Sequence, residues 1–164
     1  MNRFLLATAL SAVFSFSTAE AAPNSFFNAL TGSWSGSGQV YLAKFGNMSV
    51  NCRFEVTAAE TQFSMRGSCG VFVFQQALGL TIKNVGGNRY TGTYTGSKTG
   101  PAKLEGTLDG NRLVLNIQWG GLVNGDRSAE MVLDRTGPNS FAQSITDRVA
   151  GINRSTSSIN FKRR

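Results

Sequence analysis

From Gly32 to near the end of the chain, apolar and polar residues alternate with period two, interrupted at short intervals by turn-forming residues. Only an extended strand sends successive side chains to opposite faces, so this pattern constrains the fold more than any other feature. Trp34, Gly36, Gly38, Val40 and Leu42 share one face; Ser33, Ser35, Ser37, Gln39 and Tyr41 share the other. Cys52, Phe54 and Val56 alternate with polar neighbours, as do Phe63, Met65, Gly67 and Cys69, then Tyr90, Gly92 and Tyr94, and then Leu104, Gly106 and Leu108. Leu113, Leu115, Ile117 and Trp119 continue the pattern, with Val114 the exception, and shorter stretches surround Met131, Phe141 and Ile159. Gly86-Gly87-Asn88, Asp109-Gly110-Asn111, Asn124-Gly125-Asp126 and Gly137-Pro138-Asn139 supply the turns between them.

Nine or ten short strands joined by hairpins, each with one polar face, describe an antiparallel meander. Its apolar face is buried either in a sandwich or in a closed up-and-down barrel. The barrel is expected, because consecutive hairpins close it without long crossovers. The inward glycines Gly36, Gly38, Gly67, Gly92 and Gly106 fit it, since glycine relieves crowding where strands coil and bend. Ahead of the strands, Pro23–Leu30 has the makings of a short helical turn, with Asn24 as N-cap and Phe26, Phe27 and Leu30 on one side.

One register follows from arithmetic. A hairpin turning at Glu60-Thr61 sets Val56 opposite Met65, Phe54 opposite Gly67 and Cys52 opposite Cys69, all on the apolar face. Cysteines facing each other across adjacent strands are close enough to bridge. A structural disulfide is the expectation, with two buried free thiols as the alternative. Further along, the same phase puts Val71 and Val73 inward and Phe72 and Phe74 outward. Either Gly70 carries a bulge that resets the phase, the favoured reading, or two rings are exposed and mark a contact surface.

The first residues read as a secretory signal: Asn2-Arg3, an apolar stretch from Phe4 to Phe16, and a small-residue exit ending at Ala21 or Ala22. The apolar stretch is shorter than the roughly 20 residues a membrane-spanning helix needs. The expected division is therefore a signal peptide over 1–22 and a single β-barrel domain over 23–164, periplasmic or secreted, with no transmembrane anchor in the mature chain. A cysteine pair suits an oxidising compartment. The net charge of +7 is spread over most strands and turns, and only Lys162-Arg163-Arg164 cluster. Spread charge favours solubility and a mild pull toward anionic surfaces; export and the lack of interleaved aromatic and basic residues argue against nucleic acid.

The opening Gly32-Ser33-Trp34-Ser35-Gly36-Ser37-Gly38, the two cysteines in successive strands and the basic end resemble two groups. One is the lipocalin-like (calycin-type) barrels, in which a G-x-W near the first strand packs under a late basic residue. The other is a set of small, uncharacterised exported alphaproteobacterial proteins with the same opening and cysteine pattern. The resemblance implies a lipocalin-like, all-β, antiparallel up-and-down barrel of about 8–10 strands behind a short helical turn, with Trp34 at the barrel floor beneath the basic end. It implies small apolar ligands, although fold does not fix function. The haem-carrying nitrobindin barrels share a W-x-G-x-G opening but rely on a histidine, and this chain has none.

The absence of histidine also removes Ser-His and Cys-His nucleophile systems and most zinc sites. The mature carboxylates are scattered: Glu105 and Asp109 alternate outward or sit in a turn, and Lys98-Thr99-Gly100 lacks the companion motifs of penicillin-binding enzymes. No catalytic residue, metal or cofactor is assigned. The candidate ligand-binding residues are the inward Trp34, Phe54, Met65, Tyr90, Tyr94, Trp119 and Phe141; as plain core they would simply fill the barrel. Tyr90 and Tyr94 stand out, because a buried hydroxyl needs a partner. The expected function is non-enzymatic binding of a small apolar ligand or an anionic envelope component. The alternatives are an interaction protein acting through its basic or aromatic surface, and an outer-membrane barrel. The last would need an apolar outer band, whereas here the outer positions are Ser, Thr, Gln and charged residues.

Overall fold

The computed structural model describes residues 23–71 and 74–164, so the expected signal segment and Phe72 lie outside the described residues. A short helix, α1 (Pro23–Leu30), leads into ten strands: β1 (Gly32–Leu42), β2 (Gly46–Ala58), β3 (Gln62–Val71), β4 (Phe74–Asn84), β5 (Tyr90–Thr95), β6 (Ala102–Asp109), β7 (Arg112–Val123), β8 (Asp126–Gly137), β9 (Ser140–Val149) and β10 (Ile152–Arg163). Each strand pairs antiparallel with its sequence neighbour, and β10 returns to β1 from Trp34↔Arg163 to Val40↔Ser157, closing one barrel. The all-β up-and-down barrel expected from the alternation is what forms. Its helix starts at Pro23, one residue ahead of a cap at Asn24, and buries Phe26, Phe27 and Leu30 as expected.

A closed meander has two ends with alternating loops. The α1–β1, β2–β3, β4–β5, β6–β7 and β8–β9 connections share one end with the final residues, and the other five hairpins form the opposite end. Helix α1 seals the first end, which is the floor: Phe27 stacks on Phe63 with centroids 5.2 Å apart and meets the Tyr90 ring edge-on at 5.6 Å. Ten strands enclose a wider interior than the eight that side chains fill unaided, which is why large rings and a helix are needed here.

The seam between first and last strands is held by Arg163. Its guanidinium lies 4.4 Å from the centroid of the Trp34 ring. It donates to the carbonyls of Ala29 (2.8 Å) and Thr31, and to Asn139 Oδ1 (3.3 Å), while Trp34 Nε1 donates to the Leu30 carbonyl at 2.7 Å. The carbonyls left over at the end of α1 are thus satisfied by side chains of β1 and β10. Gly32, at φ +127°, is required twice over: the backbone angle suits glycine, and a Cβ there would meet Arg163 Nη1.

The β2–β3 hairpin turns at Glu60-Thr61 and pairs Val56 with Met65, Phe54 with Gly67 and Cys52 with Cys69, as the arithmetic requires. The cysteines form a disulfide with Cα atoms 4.0 Å apart. The bulge expected at Gly70 is absent, because the β3–β4 ladder runs unbroken from Gln62↔Lys83 to Val71↔Phe74. Val71 instead pairs directly with Phe74, and that pairing sets the phase of β4. Phe74 therefore falls on the face of Leu78 and Leu80, at the rim of the lumen and not on the outer wall, yet 80% exposed. The Val114 exception is also explained: it pairs with the outward but buried Val132 across β7 and β8, a small apolar patch on the outer wall.

Two stability measurements follow. Replacing both Cys52 and Cys69 by alanine should cost about 3 kcal/mol in denaturant unfolding, the loop-entropy value for a bridge of this span, and reductant should reproduce it in the wild type. Arg163→Ala should cost about 3 kcal/mol through the lost cation–π contact and hydrogen bonds, with Arg163→Lys recovering less than half.

Candidate functional site

The lumen is unevenly filled. Toward the floor, Trp34, Phe63, Ile82, Leu113, Leu115 and Leu133 have no accessible surface. Toward the other end the inward side chains open to solvent: Val40, Val71, Leu78, Tyr94, Val123 and Ala129 are only partly buried. That end is a mouth, and Tyr94, Trp119 and Asp147 lie on the strands' inward faces toward it.

Of the seven candidate ligand-binding residues, five belong to the packed interior. Trp34 is clamped by Arg163 and meets Phe141 edge-on at 4.8 Å; Phe141 stacks on Phe161 at 4.5 Å, and Phe54 packs edge-on against the same ring at 5.7 Å. Met65 and Tyr90 are buried among them, Tyr90 beneath the helix. Tyr94 and Trp119 alone stand at the mouth, their rings 6.1 Å apart and 70° inclined. Tyr90 and Tyr94, equivalent by alternation, are thus separated by about 13 Å of strand and do different things.

Trp119 Nε1 is the feature that calls for an explanation: it is buried and has no hydrogen-bond partner among the described residues. Buried indole N–H groups normally find one. The backbone around it is tightly specified. The β7–β8 ladder is interrupted between Gln118 and Val123, and Arg127 reaches across to donate to the Trp119 carbonyl (3.2 Å) and the Gly120 carbonyl (3.1 Å). The β5–β6 loop closes in from the side, since a Cβ at Gly120 would collide with the Thr99 carbonyl. Lys98-Thr99-Gly100 therefore belongs to a loop shaped by Ser97, whose hydroxyl accepts the Thr99 N–H at 3.2 Å, and has no catalytic companion.

Asp147, on the inner face of β9, is the buried carboxylate among the described residues. Asn124, in the left-handed conformation of the β7–β8 turn, donates Nδ2 to Asp147 Oδ2 at 2.9 Å, and the Arg148 N–H donates to Oδ1 at 2.7 Å. Burial raises its pKa above the ordinary carboxylate value; the two hydrogen bonds act against that rise, and the nearby Asp126 charge adds to it. Arg154 lies opposite Asp147 in the ladder but places its guanidinium 4.7 Å from the Tyr41 ring, so no ion pair offsets the burial. Burial likewise raises the pKa of the Tyr94 phenol. Asp147, Asn124 and Arg127 were not among the residues singled out by sequence. The run Phe141, Gln143, Ile145, Asp147, followed to its end, would have placed the carboxyl inward.

Two shallow hollows of about 300 and 620 Å3 lie on the outer wall of β4 to β6, among Thr81, Thr93, Lys83, Lys103 and Arg66. They are open to solvent, without a buried polar group to orient a ligand. No group of three or more Asp, Glu or Cys among the described residues is placed to hold a metal.

No protein-family model matches the chain, and no curated protein sequence does. The crystal structure of Rv2717c from M. tuberculosis superimposes with a TM-score of 0.67 at 12% identity, covering 87% of this chain and 98% of that one. The S-type phycobiliprotein lyase CPES from Guillardia theta superimposes with a TM-score of 0.62 at 16% identity, covering 88% and 93%. The fold is lipocalin-like. Likeness at these identities extends to the lipocalin-like architecture and not to the chemistry of either neighbour.

The raised pKa of Asp147 sets a pH dependence. The folded state favours the neutral acid, so the contribution of Asp147 to stability is largest below the ordinary carboxylate pKa and is lost as pH rises through its raised value. Thermal midpoints across that window should fall more steeply for the wild type than for Asp147→Asn. Parallel curves would show that another group governs the dependence.

Proposed function

We propose that the protein is an exported, non-enzymatic barrel that holds a small, largely apolar ligand in its upper lumen. The observation that carries this reading is the buried, unpartnered Trp119 Nε1. A donor kept out of water costs about 1–3 kcal/mol when unsatisfied, and a ligand carbonyl, ether or carboxylate at the mouth would remove that cost. The surroundings suit such a guest. Val40, Leu78, Val123 and Ala129 offer partly open apolar walls. The Tyr94 ring lies against Trp119, giving an apolar body an aromatic wall beside the indole N–H.

A signal-like N-terminus and the Cys52–Cys69 bridge support the exported setting. A phycobiliprotein lyase uses the same architecture, but the mouth here sets no nucleophile against a base among the described residues, and no lyase chemistry is carried over. A second reading, an interaction protein acting through surface aromatics without an internal ligand, is favoured by the exposed Phe74 ring.

Native mass spectrometry of the protein recovered from the periplasm, beside its denatured mass, tests the first reading. The expected result is an added mass lost on denaturation. Trp119→Phe, which keeps the ring and removes the donor, should bind the same molecule roughly tenfold more weakly. A clean apo mass, with no uptake of anilinonaphthalene sulfonate by the folded wild type, would overturn it.

A further inference from the structure

The mouth carries a second feature that the lumen does not explain. Six large apolar side chains are well exposed among the described residues: Leu42, Phe45, Phe74, Val85, Leu122 and Ile152. Single exposed apolar residues are ordinary. Their distribution here is not. Leu42 and Phe45 lie at the β1–β2 hairpin, Phe74 at the β3–β4 hairpin, Leu122 at β7–β8 and Ile152 at β9–β10, all on the mouth side. Val85, in the β4–β5 loop, is the one on the floor side. Phe45, Phe74, Leu122 and Ile152 are 70–80% exposed, against 47% for Val85.

Both ends are basic, but the rim carries fewer carboxylates. Lys44 and Lys98 project from the mouth loops, and Arg127, Arg148 and Arg154 from the strand ends beside them. The carboxylates at this end are Asp126 and the buried Asp147. The floor instead mixes Glu60, Asp109 and Asp134 with its cations, including an Arg112–Asp134 ion pair of 3.6 Å.

We infer that the mouth rim is a docking face for an anionic phospholipid bilayer, with Phe45, Phe74, Leu122 and Ile152 entering the headgroup–acyl boundary and the flanking Lys and Arg side chains meeting lipid phosphates. Apolar tips held on separate hairpins, ringed by cations, match the two parts of interfacial binding: burial of apolar surface and attraction to negative headgroups. A protein partner would more naturally be met by one continuous apolar patch, whereas a bilayer accepts separate tips that share only a plane. This inference needs no ligand in the lumen, so it stands or falls separately from the carrier reading.

Flotation of the exported protein with phosphatidylcholine vesicles, with and without phosphatidylglycerol, tests it. Binding is expected to the mixed vesicles, weaker to the neutral ones, and reduced by salt as exposed charges are screened. Phe45→Ser and Phe74→Ser should each weaken it by roughly tenfold, the loss expected for one buried ring, while Val85→Ser leaves it unchanged. Thermal midpoints of the variants, whose altered side chains are exposed, check that the barrel is intact. The inference is overturned by no binding to the mixed vesicles, by equal loss in Val85→Ser, or by sedimentation showing that the rim side chains instead join two copies of the chain.

Discussion

The contact on which the barrel depends is the seating of Arg163 over Trp34. Closing a sheet requires its first and last strands to meet, and here the two residues are 129 positions apart in the chain but paired in register. A hydrogen-bonded ladder alone would leave that seam no different from any other. What distinguishes it is a guanidinium held between an indole face and the end of α1, where it donates to the Ala29 carbonyl of the helix and the Thr31 carbonyl just after it. One side chain thus fastens the last strand to the first strand and the plug to both. The glycine that opens the G-x-W motif leaves the room for it.

Below that clamp the interior is solid, and above it the interior loosens. The division follows from strand number, because a ten-stranded wall is too wide for aliphatic side chains to fill along its whole length. The floor solves this with a helix and a cluster of rings. Among the described residues the mouth has no equivalent plug, and its inward positions are a mixture of small apolar residues, an indole and a phenol, with one carboxyl near the rim. The alternation that builds both halves is the same. Their difference lies in what caps the end.

Much of this was legible in the sequence. Period two and the turn residues identified an antiparallel meander, and the constant sum across Cys52 and Cys69 located one register and its bridge. Alternation assigns a face but not a height along the barrel, so Tyr90 and Tyr94 looked equivalent although one lies under the helix and the other at the mouth. The phase of β4 was misread because no usual turn residue stands between Val71 and Phe74 in the sequence, and a bulge at Gly70 was the simpler way to restore the alternation. The site at Trp119 was only half visible. Its indole was expected to face inward, but nothing local marks Arg127, which donates to the Trp119 carbonyl, and the inward Asp147 is legible only when the β9 alternation is followed to its end.

The Cys52–Cys69 bridge takes on another meaning from where it sits. It ties β2 to β3 above the packed floor, one inward position short of the partly buried Val71. In mechanical terms the barrel is a vessel with a stiff base and a compliant collar, and the covalent tie stiffens one sector of that collar. Breathing of the opening is therefore expected to be lopsided. The sector from β5 to β8, untied and interrupted at the β7–β8 ladder, would yield first, and the β2–β3 sector would serve as the fixed jamb against which it moves.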